Sequence, residues 1–150
     1  MITINDLQVG DVFVTRNEGG EDENSSPGYY NHAAMYVGHN RVVEAQVAPF
    51  DKVIVSDLDE FIERYYKIKV LRYNNLNKAI LAASYISSSV GRKYWKAASI
   101  FRRLRPSDNG ENCVSVVRRA WKDALKYDPR WKKPDHVIGD GIFETVMEKG

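Results

Sequence analysis

The sequence of 150 residues contains a single cysteine, Cys113. One thiol excludes an internal disulfide and any zinc site built from several cysteines. No apolar run approaches the roughly 18 residues needed to span a bilayer, and the first residues lack a basic stretch followed by a hydrophobic segment. We therefore expect a protein with no membrane span and a cytoplasmic location, although a protein without an export signal can still be delivered elsewhere.

Proline and glycine are also sparse, with five and ten residues scattered along the chain. This scarcity excludes collagen-like and low-complexity structures. The hydrophobic fraction is 43% and the aromatic fraction is 11%, which is enough apolar material for a buried core at this length. We predict a single domain that covers residues 1–150.

The net charge of +2 conceals an uneven distribution. Residues 1–63 contain 3 Lys or Arg and 12 Asp or Glu, whereas residues 64–150 contain 19 and 8. The basic half, especially residues 92–105 with their aromatic side chains, could bind nucleic acid or another acidic partner. Since the acidic half would repel phosphate, we favour attraction between the two halves within the fold and expect no nucleic-acid partner.

Local patterns predict strands in the first half and helices in the second. The strand segments are residues 11–16, a hairpin of 32–37 and 41–45 around Gly38-His39-Asn40, 54–55 and 66–72. The helical segments are a turn at 57–65, a helix from Asn74 or Asn75 to Ser89, and a helix over 113–126. Residues 142–146 form either a last strand or a short helix. This order favours an α+β fold, with an antiparallel sheet packed on helices, over a parallel sheet.

The apolar spacing of the two longer helices predicts which faces they bury. In the first helix Leu76, Ile80 and Ala83, with Ser87, share one face. In the second, the buried set comprises Val116, Val117, Ala120, Trp121 and Ala124.

Cys113 opens the second of these helices. A sulfur at a helix N-terminus lies near unpaired backbone N–H groups, which favours the thiolate. A nucleophilic thiolate needs a base, and the sequence offers three histidines. His39 lies in a turn and His136 in a proline-flanked tail, where both are expected at the surface, whereas His32 begins a strand that can hold its ring. The alternative for Cys113 is simple packing in the core.

Glu44 lies on the partner strand of the hairpin and is the candidate to orient the His32 ring. A strict two-residue turn at His39-Asn40 would place the two side chains on opposite faces, so the hairpin must have a three-residue or bulged loop. Gly38 makes such a loop feasible. In that register Gln46 shares the face and is the substitute for Glu44.

Five segments together resemble the circularly permuted, YiiX-like branch of the NlpC superfamily of papain-like cysteine enzymes. The resemblance covers residues 9 to 120, and the segments are GDVFVTR (10–16), NHAAMYVG (31–38), VVEA (42–45), GRKY (91–94) and NCVS (112–115). It implies that Cys113 is the nucleophile, His32 the base and Glu44 the third polar member. It also implies that Tyr94 and the backbone N–H of Cys113 form the oxyanion or substrate-carboxylate pocket.

The implied activity is hydrolysis of an amide bond in a small peptide or amino-acid-like substrate, with cell-wall peptides or acyl lipids as further options. No cofactor is required. Tyr30, next to His32, is a candidate for the substrate wall or an anchor of the preceding loop. Asp135 and Asp140 lack the spacing of a metal loop, so we expect no metal. The alternatives are a lipid acyltransferase or thioesterase with the same triad, and a basic binding module without catalysis.

Overall fold

A computed structural model describes residues 1–17, 29–46, 50–93 and 112–150 of the chain. Its strands are β1 (Val12–Arg16), β2 (His32–Gly38), β3 (Arg41–Gln46), β4 (Lys52–Asp57), β5 (Lys67–Tyr73) and β6 (Phe143–Lys149). Its helices are α1 (Leu58–Arg64), α2 (Leu76–Ser88), α3 (Cys113–Leu125) and α4 (Pro134–Gly139), after a short 3-10 turn at Ile4–Asp6. The predicted α+β class is confirmed, and the last segment is a strand rather than a helix.

The strands form one antiparallel sheet in the order β4-β3-β2-β1-β5-β6. β1 lies inside the sheet, and Val12, Phe13 and Val14 are fully buried because both faces of this strand are covered. Successive side chains of a strand point to opposite faces. β2 therefore sends Ala33 and Met35 to one side of the sheet and Ala34 and Tyr36 to the other.

Two apolar clusters result, one on each face. The larger cluster lies between the sheet and the helices α2 and α3, and it includes Cys113 and Trp121. The smaller cluster is covered by α1, whose Leu58 and Phe61 pack with Phe13. The helix that bears the cysteine thus lies on one face of the sheet and α1 on the other.

The predicted buried face of α2 is wrong at Leu76, Ile80 and Ser87 and right at Ala83, whereas that of α3 is confirmed. Leu76 and Ile80 are about half exposed, and the buried residues of α2 are Ala79, Ala82, Ala83 and Ile86. The reason is close packing: a Cβ at Gly10 would lie 2.5 Å from the backbone oxygen of Ala79. Only small side chains allow the helix to approach the chain this closely.

Candidate active site

Cys113 is the first residue of α3, as the sequence predicts, and its side chain is fully buried. The helix start is fixed by Asn112, whose side-chain oxygen accepts hydrogen bonds from the backbone N–H groups of Val114 (3.0 Å) and Ser115 (2.8 Å). The Ser115 hydroxyl accepts in return from the Asn112 N–H at 2.7 Å. This capping box holds the sulfur at the positive end of the helix dipole.

The hairpin of β2 and β3 contains the irregularity that the proposed pairing of His32 and Glu44 requires. Met35 pairs with Val43 and Gly38 with Arg41, so the register shifts by one residue between Tyr36 and Gly38. Gly38 has a φ of +91° and takes up this bulge, and the turn residues that follow also have positive φ. The bulge puts His32 and Glu44 on the same face, which confirms the prediction of a bulged loop.

The Glu44 carboxylate is fully buried and, within the described ranges, is held by four side chains. Its Oε1 lies 2.7 Å from His32 Nε2 and accepts a hydrogen bond from the Gln46 amide, also at 2.7 Å. Its Oε2 accepts from the Ser56 hydroxyl. The Arg64 Nη1 donates to both oxygens, at 3.0 and 3.1 Å. Gln46 therefore supports the carboxylate rather than replacing it.

His32 joins the carboxylate to the thiol. Its ring is fully buried and its side chain forms hydrogen bonds with Glu44 and with the side chain of Cys113. Since Nε2 bonds Glu44, the other ring nitrogen remains for the sulfur. The ring stacks on Tyr65, with centroids 5.6 Å apart and planes inclined by 23°. His32 begins β2 and Cys113 begins α3, so the contact forms where a strand and a helix both start.

The electrostatics of this chain of contacts favour an imidazolium. Burial alone would lower the pKa of His32, but the hydrogen bonds and charges of Cys113 and Glu44 raise it to about 10. Burial would likewise raise the pKa of the Glu44 carboxyl, yet His32, Arg64 and Ser56 lower it to about 2. At neutral pH the site therefore holds a protonated histidine between a carboxylate and a cysteine sulfur.

The model of one protein family matches residues 6–133, which is most of the chain. That family is described as permuted papain-like amidase enzymes of the YaeF/YiiX type, family C92. The chain belongs to this family. The resemblance to the permuted, YiiX-like papain fold is thereby confirmed, and the expected class of activity, a cysteine amidase or peptidase, is confirmed at the level of the family.

The fold of this C92 amidase is also found among solved structures. The crystal structure of the metalloprotein YiiX from Escherichia coli O157:H7 superposes with a TM-score of 0.71 at 18% sequence identity, covering 95% of this chain and 97% of that one. No curated protein sequence matches the chain significantly. At this identity the likeness to YiiX concerns the fold.

YiiX is described as a metalloprotein, and a protein-bound metal ion needs several acidic, histidine or cysteine side chains around one point. Within the four described ranges, no group of three or more His, Cys, Asp or Glu side chains converges on one point. The two tail carboxylates serve other purposes. Asp135 accepts hydrogen bonds from the backbone N–H groups of Tyr29 and Tyr30, both at 2.8 Å, and Asp140 accepts from the Trp131 indole at 2.6 Å.

Of the remaining candidate residues, some lie within the part of the chain that the structure describes and some lie outside it. Tyr30 is half-buried, packs against the larger apolar cluster and stacks edge-on with Tyr29, and burial is the main cause of the raised pKa of its hydroxyl. His39 and His136 are exposed, as expected. Tyr94 and most of the basic segment 92–105 lie outside the described residues. No helix in the described part of the chain is long and apolar enough to cross a membrane.

Two residues of the site were not anticipated from the sequence. Ser56 and Arg64 both contact the Glu44 carboxylate, from β4 and from the end of α1. Ser56 could have been found once β4 was paired with β3, since Val42 faces Ser56 and the hydroxyl then lies diagonally opposite Glu44. No local signal marks Arg64, because its contact depends on how α1 packs on the sheet.

Proposed function

We propose that this chain is a cysteine hydrolase that cleaves an amide bond in a small peptide or amino-acid-like substrate through Cys113, His32 and Glu44. Membership of an amidase family supports the reaction class. The observation that carries the assignment of residues is the hydrogen-bonded sequence from Glu44 through the His32 ring to the side chain of Cys113. A nucleophile, a base and a group that orients the base in this order are the parts that acyl transfer requires.

In the first half of the proposed reaction, the Cys113 thiolate attacks the carbonyl carbon and the C=O electrons move onto oxygen. When the tetrahedral intermediate collapses, the C–N bond breaks and the amine leaves with the proton that His32 donates. The product is a thioester between Cys113 and the acyl group. The backbone N–H of Cys113, together with Tyr94, is our candidate donor pair for the oxyanion.

In the second half, His32 is neutral and takes a proton from a water molecule as that water attacks the thioester. Collapse of the second intermediate breaks the C–S bond, releases the carboxylic acid and restores the thiolate and the imidazolium. Glu44 orients the ring and stabilises its protonated form throughout. Its low pKa, caused by its charged and hydrogen-bonding neighbours, supports this role because the carboxylate stays ionised at neutral pH.

The test is to measure amide hydrolysis and alkylation of the thiol in matched variants. Cys113→Ala and His32→Ala should abolish hydrolysis, whereas His39→Ala, which removes an exposed histidine of the same hairpin, should leave it intact. Iodoacetamide should label Cys113 faster than a free thiol at neutral pH, and His32→Ala should remove this advantage. Ordinary reactivity of Cys113 in the folded protein would contradict the proposal.

The class of bond is tested with amide, ester and thioester substrates that carry the same acyl group. Turnover of the peptide amide with release of the free amine is expected. Turnover of thioesters or lipid esters alone would favour the acyltransferase or thioesterase alternative. Salt-dependent DNA binding that Cys113→Ala leaves unchanged, with no turnover of any substrate, would favour the basic binding module.

A further inference from the structure

Arg64 is the outermost member of the buried hydrogen-bonded chain. Its side chain is 31% exposed, whereas the side chains of Glu44 and His32 are fully buried. The guanidinium rests on the rings of Phe61 and Tyr65, with its central carbon 5.5 and 5.4 Å from their centroids. The ring of Tyr65 also stacks on His32. The rings of Phe61 in α1 and Tyr65 directly after it thus hold the Arg64 guanidinium in place, and Tyr65 also holds the His32 imidazole.

The geometry shows that Arg64 holds the whole carboxylate rather than one of its oxygens. A single Nη1 atom lies 3.0 Å from Oε1 and 3.1 Å from Oε2 of Glu44, and 3.3 Å from the Tyr65 hydroxyl. The bonds from Gln46 and Ser56 come from neutral groups. Arg64 is therefore the side chain contacting Glu44 that carries a charge at every pH of interest.

The burial of the carboxylate explains why such a cation is needed. The Glu44 side chain is fully withdrawn from water. A buried carboxylate without a compensating cation takes up a proton more easily, because burial disfavours the charged form.

We propose that Arg64 is a positioning residue that keeps Glu44 ionised and turned towards His32, and thereby sets the lower pH limit at which the pair of Glu44 and His32 exists. This inference rests on the proposed function only for its consequence on Cys113. Among the residues that the structure describes, the groups facing the carboxylate are His32, Gln46, Ser56 and Arg64, with the Tyr65 hydroxyl beside the guanidinium.

The first experiment follows the rate of Cys113 alkylation by iodoacetamide against pH in the full chain. The acidic midpoint should move up by about 1 to 3 pH units in Arg64→Gln, as expected when a carboxyl loses an adjacent cation. Arg64→Lys keeps the charge and should restore the wild-type midpoint. Arg72→Gln is the matched control, because Arg72 donates hydrogen bonds of 2.9 and 2.7 Å to another buried carboxylate, that of Asp11. Asp11 directly precedes β1, whereas Thr15, which pairs with His32, lies near the other end of that strand.

The second experiment records the ring signals of His32 by NMR over the same pH range. Because Nε2 bonds Glu44, these signals report the ionisation of the carboxylate whether or not Cys113 is a nucleophile. His39 and His136, both exposed, provide internal references. A shift in Arg64→Gln but not in Arg72→Gln supports the proposal, and identical His32 titrations in Arg64→Gln and wild type overturn it.

The outcomes separate this inference from the proposed function. If wild-type Cys113 reacts like an ordinary thiol while the His32 signals still shift in Arg64→Gln, the hydrolase proposal fails and the role of Arg64 stands. If Arg64→Gln does not fold, Arg64→Lys decides: a midpoint within about half a pH unit of wild type supports a role for charge, and a larger shift overturns it.

Discussion

Replacement of Glu44 by Gln removes one charge from the buried site at almost constant shape. Two of the four side chains that hold the carboxylate carry charge, His32 and Arg64. Breaking a buried ion pair by changing one partner costs about 3 to 5 kcal/mol. We therefore expect Glu44→Gln to lower the free energy of unfolding substantially while the fold is retained.

The pKa of Glu44 gives a second, independent value for this loss. The carboxyl falls from its ordinary 4.5 to about 2, and a difference of this size corresponds to about 3 kcal/mol. The raised pKa of His32 adds no further loss of stability, because it reflects the same ion pair of His32 and Glu44 and also the hydrogen bond with Cys113. The value of about 3 kcal/mol lies at the lower end of the range of about 3 to 5 kcal/mol for a broken buried ion pair.

The contribution of this ion pair to stability should fall at both acidic and alkaline pH. Glu44 has a lowered pKa in the folded state, so its contribution is present above 4.5 and is lost as pH falls through about 2. His32 has a raised pKa, so its contribution is present below 6.5 and is lost as pH rises through about 10. The difference in stability between wild type and Glu44→Gln should thus be largest between pH 4.5 and 6.5.

The assay is urea denaturation, followed by tryptophan fluorescence, at pH values from acid to alkaline. Glu63→Gln is the control, because it makes the same chemical change at an exposed position next to Arg64. We expect a bell-shaped stability difference for Glu44→Gln and a small, flat one for Glu63→Gln. A difference for Glu44→Gln that is constant with pH, or no larger than that of the control, would refute the reasoning.

Three further predictions concern residues around the site. Asn112→Ala removes the cap of α3 and should cost about 1 kcal/mol in chemical denaturation, with slower alkylation of Cys113 than in wild type. Gly10→Ala should destabilise by more than about 1 kcal/mol, because φ is +96° and the new Cβ would meet the Ala79 backbone; unchanged thermal unfolding would contradict this. Asp135→Ala removes two hydrogen bonds to the backbone just before β2, so faster amide exchange of that segment is expected, and unchanged exchange would show that the bonds contribute little.

The sequence was sufficient where local chemistry decides the structure. The bulge beside Gly38 follows from the requirement that two polar side chains share a face, together with a glycine that accepts positive φ. The start of α3 at Cys113 was predicted, and the structure shows its local cause, an asparagine placed three residues before a serine. The helix α4 was not predicted, although Pro134 at its first turn with Asp135 after it is a typical start signal.

Prediction failed where tertiary packing overrides local preference. Leu76 and Ile80 are more hydrophobic than Ala79 and Ala82, so a count of apolar residues chooses the wrong face of α2. Ala79 is buried because its small size allows a close approach to the chain at Gly10, and close packing there outweighs the greater hydrophobicity of the larger side chains. Arg64 was missed for a related reason, since 20 residues separate it from Glu44.

The uneven charge distribution of the sequence is reflected in two ion pairs that join the acidic and basic segments. In the described part of the chain, two buried carboxylates of the acidic segment, Glu44 and Asp11, each take an arginine from residues 64–150, namely Arg64 and Arg72. One pair completes the candidate site and the other lies before the start of β1. The attraction between the segments therefore acts inside the fold. It fixes a carboxylate that must remain charged in a water-poor environment, where Arg64 adds a full positive charge to the hydrogen bond by which Ser56 also lowers the pKa of Glu44.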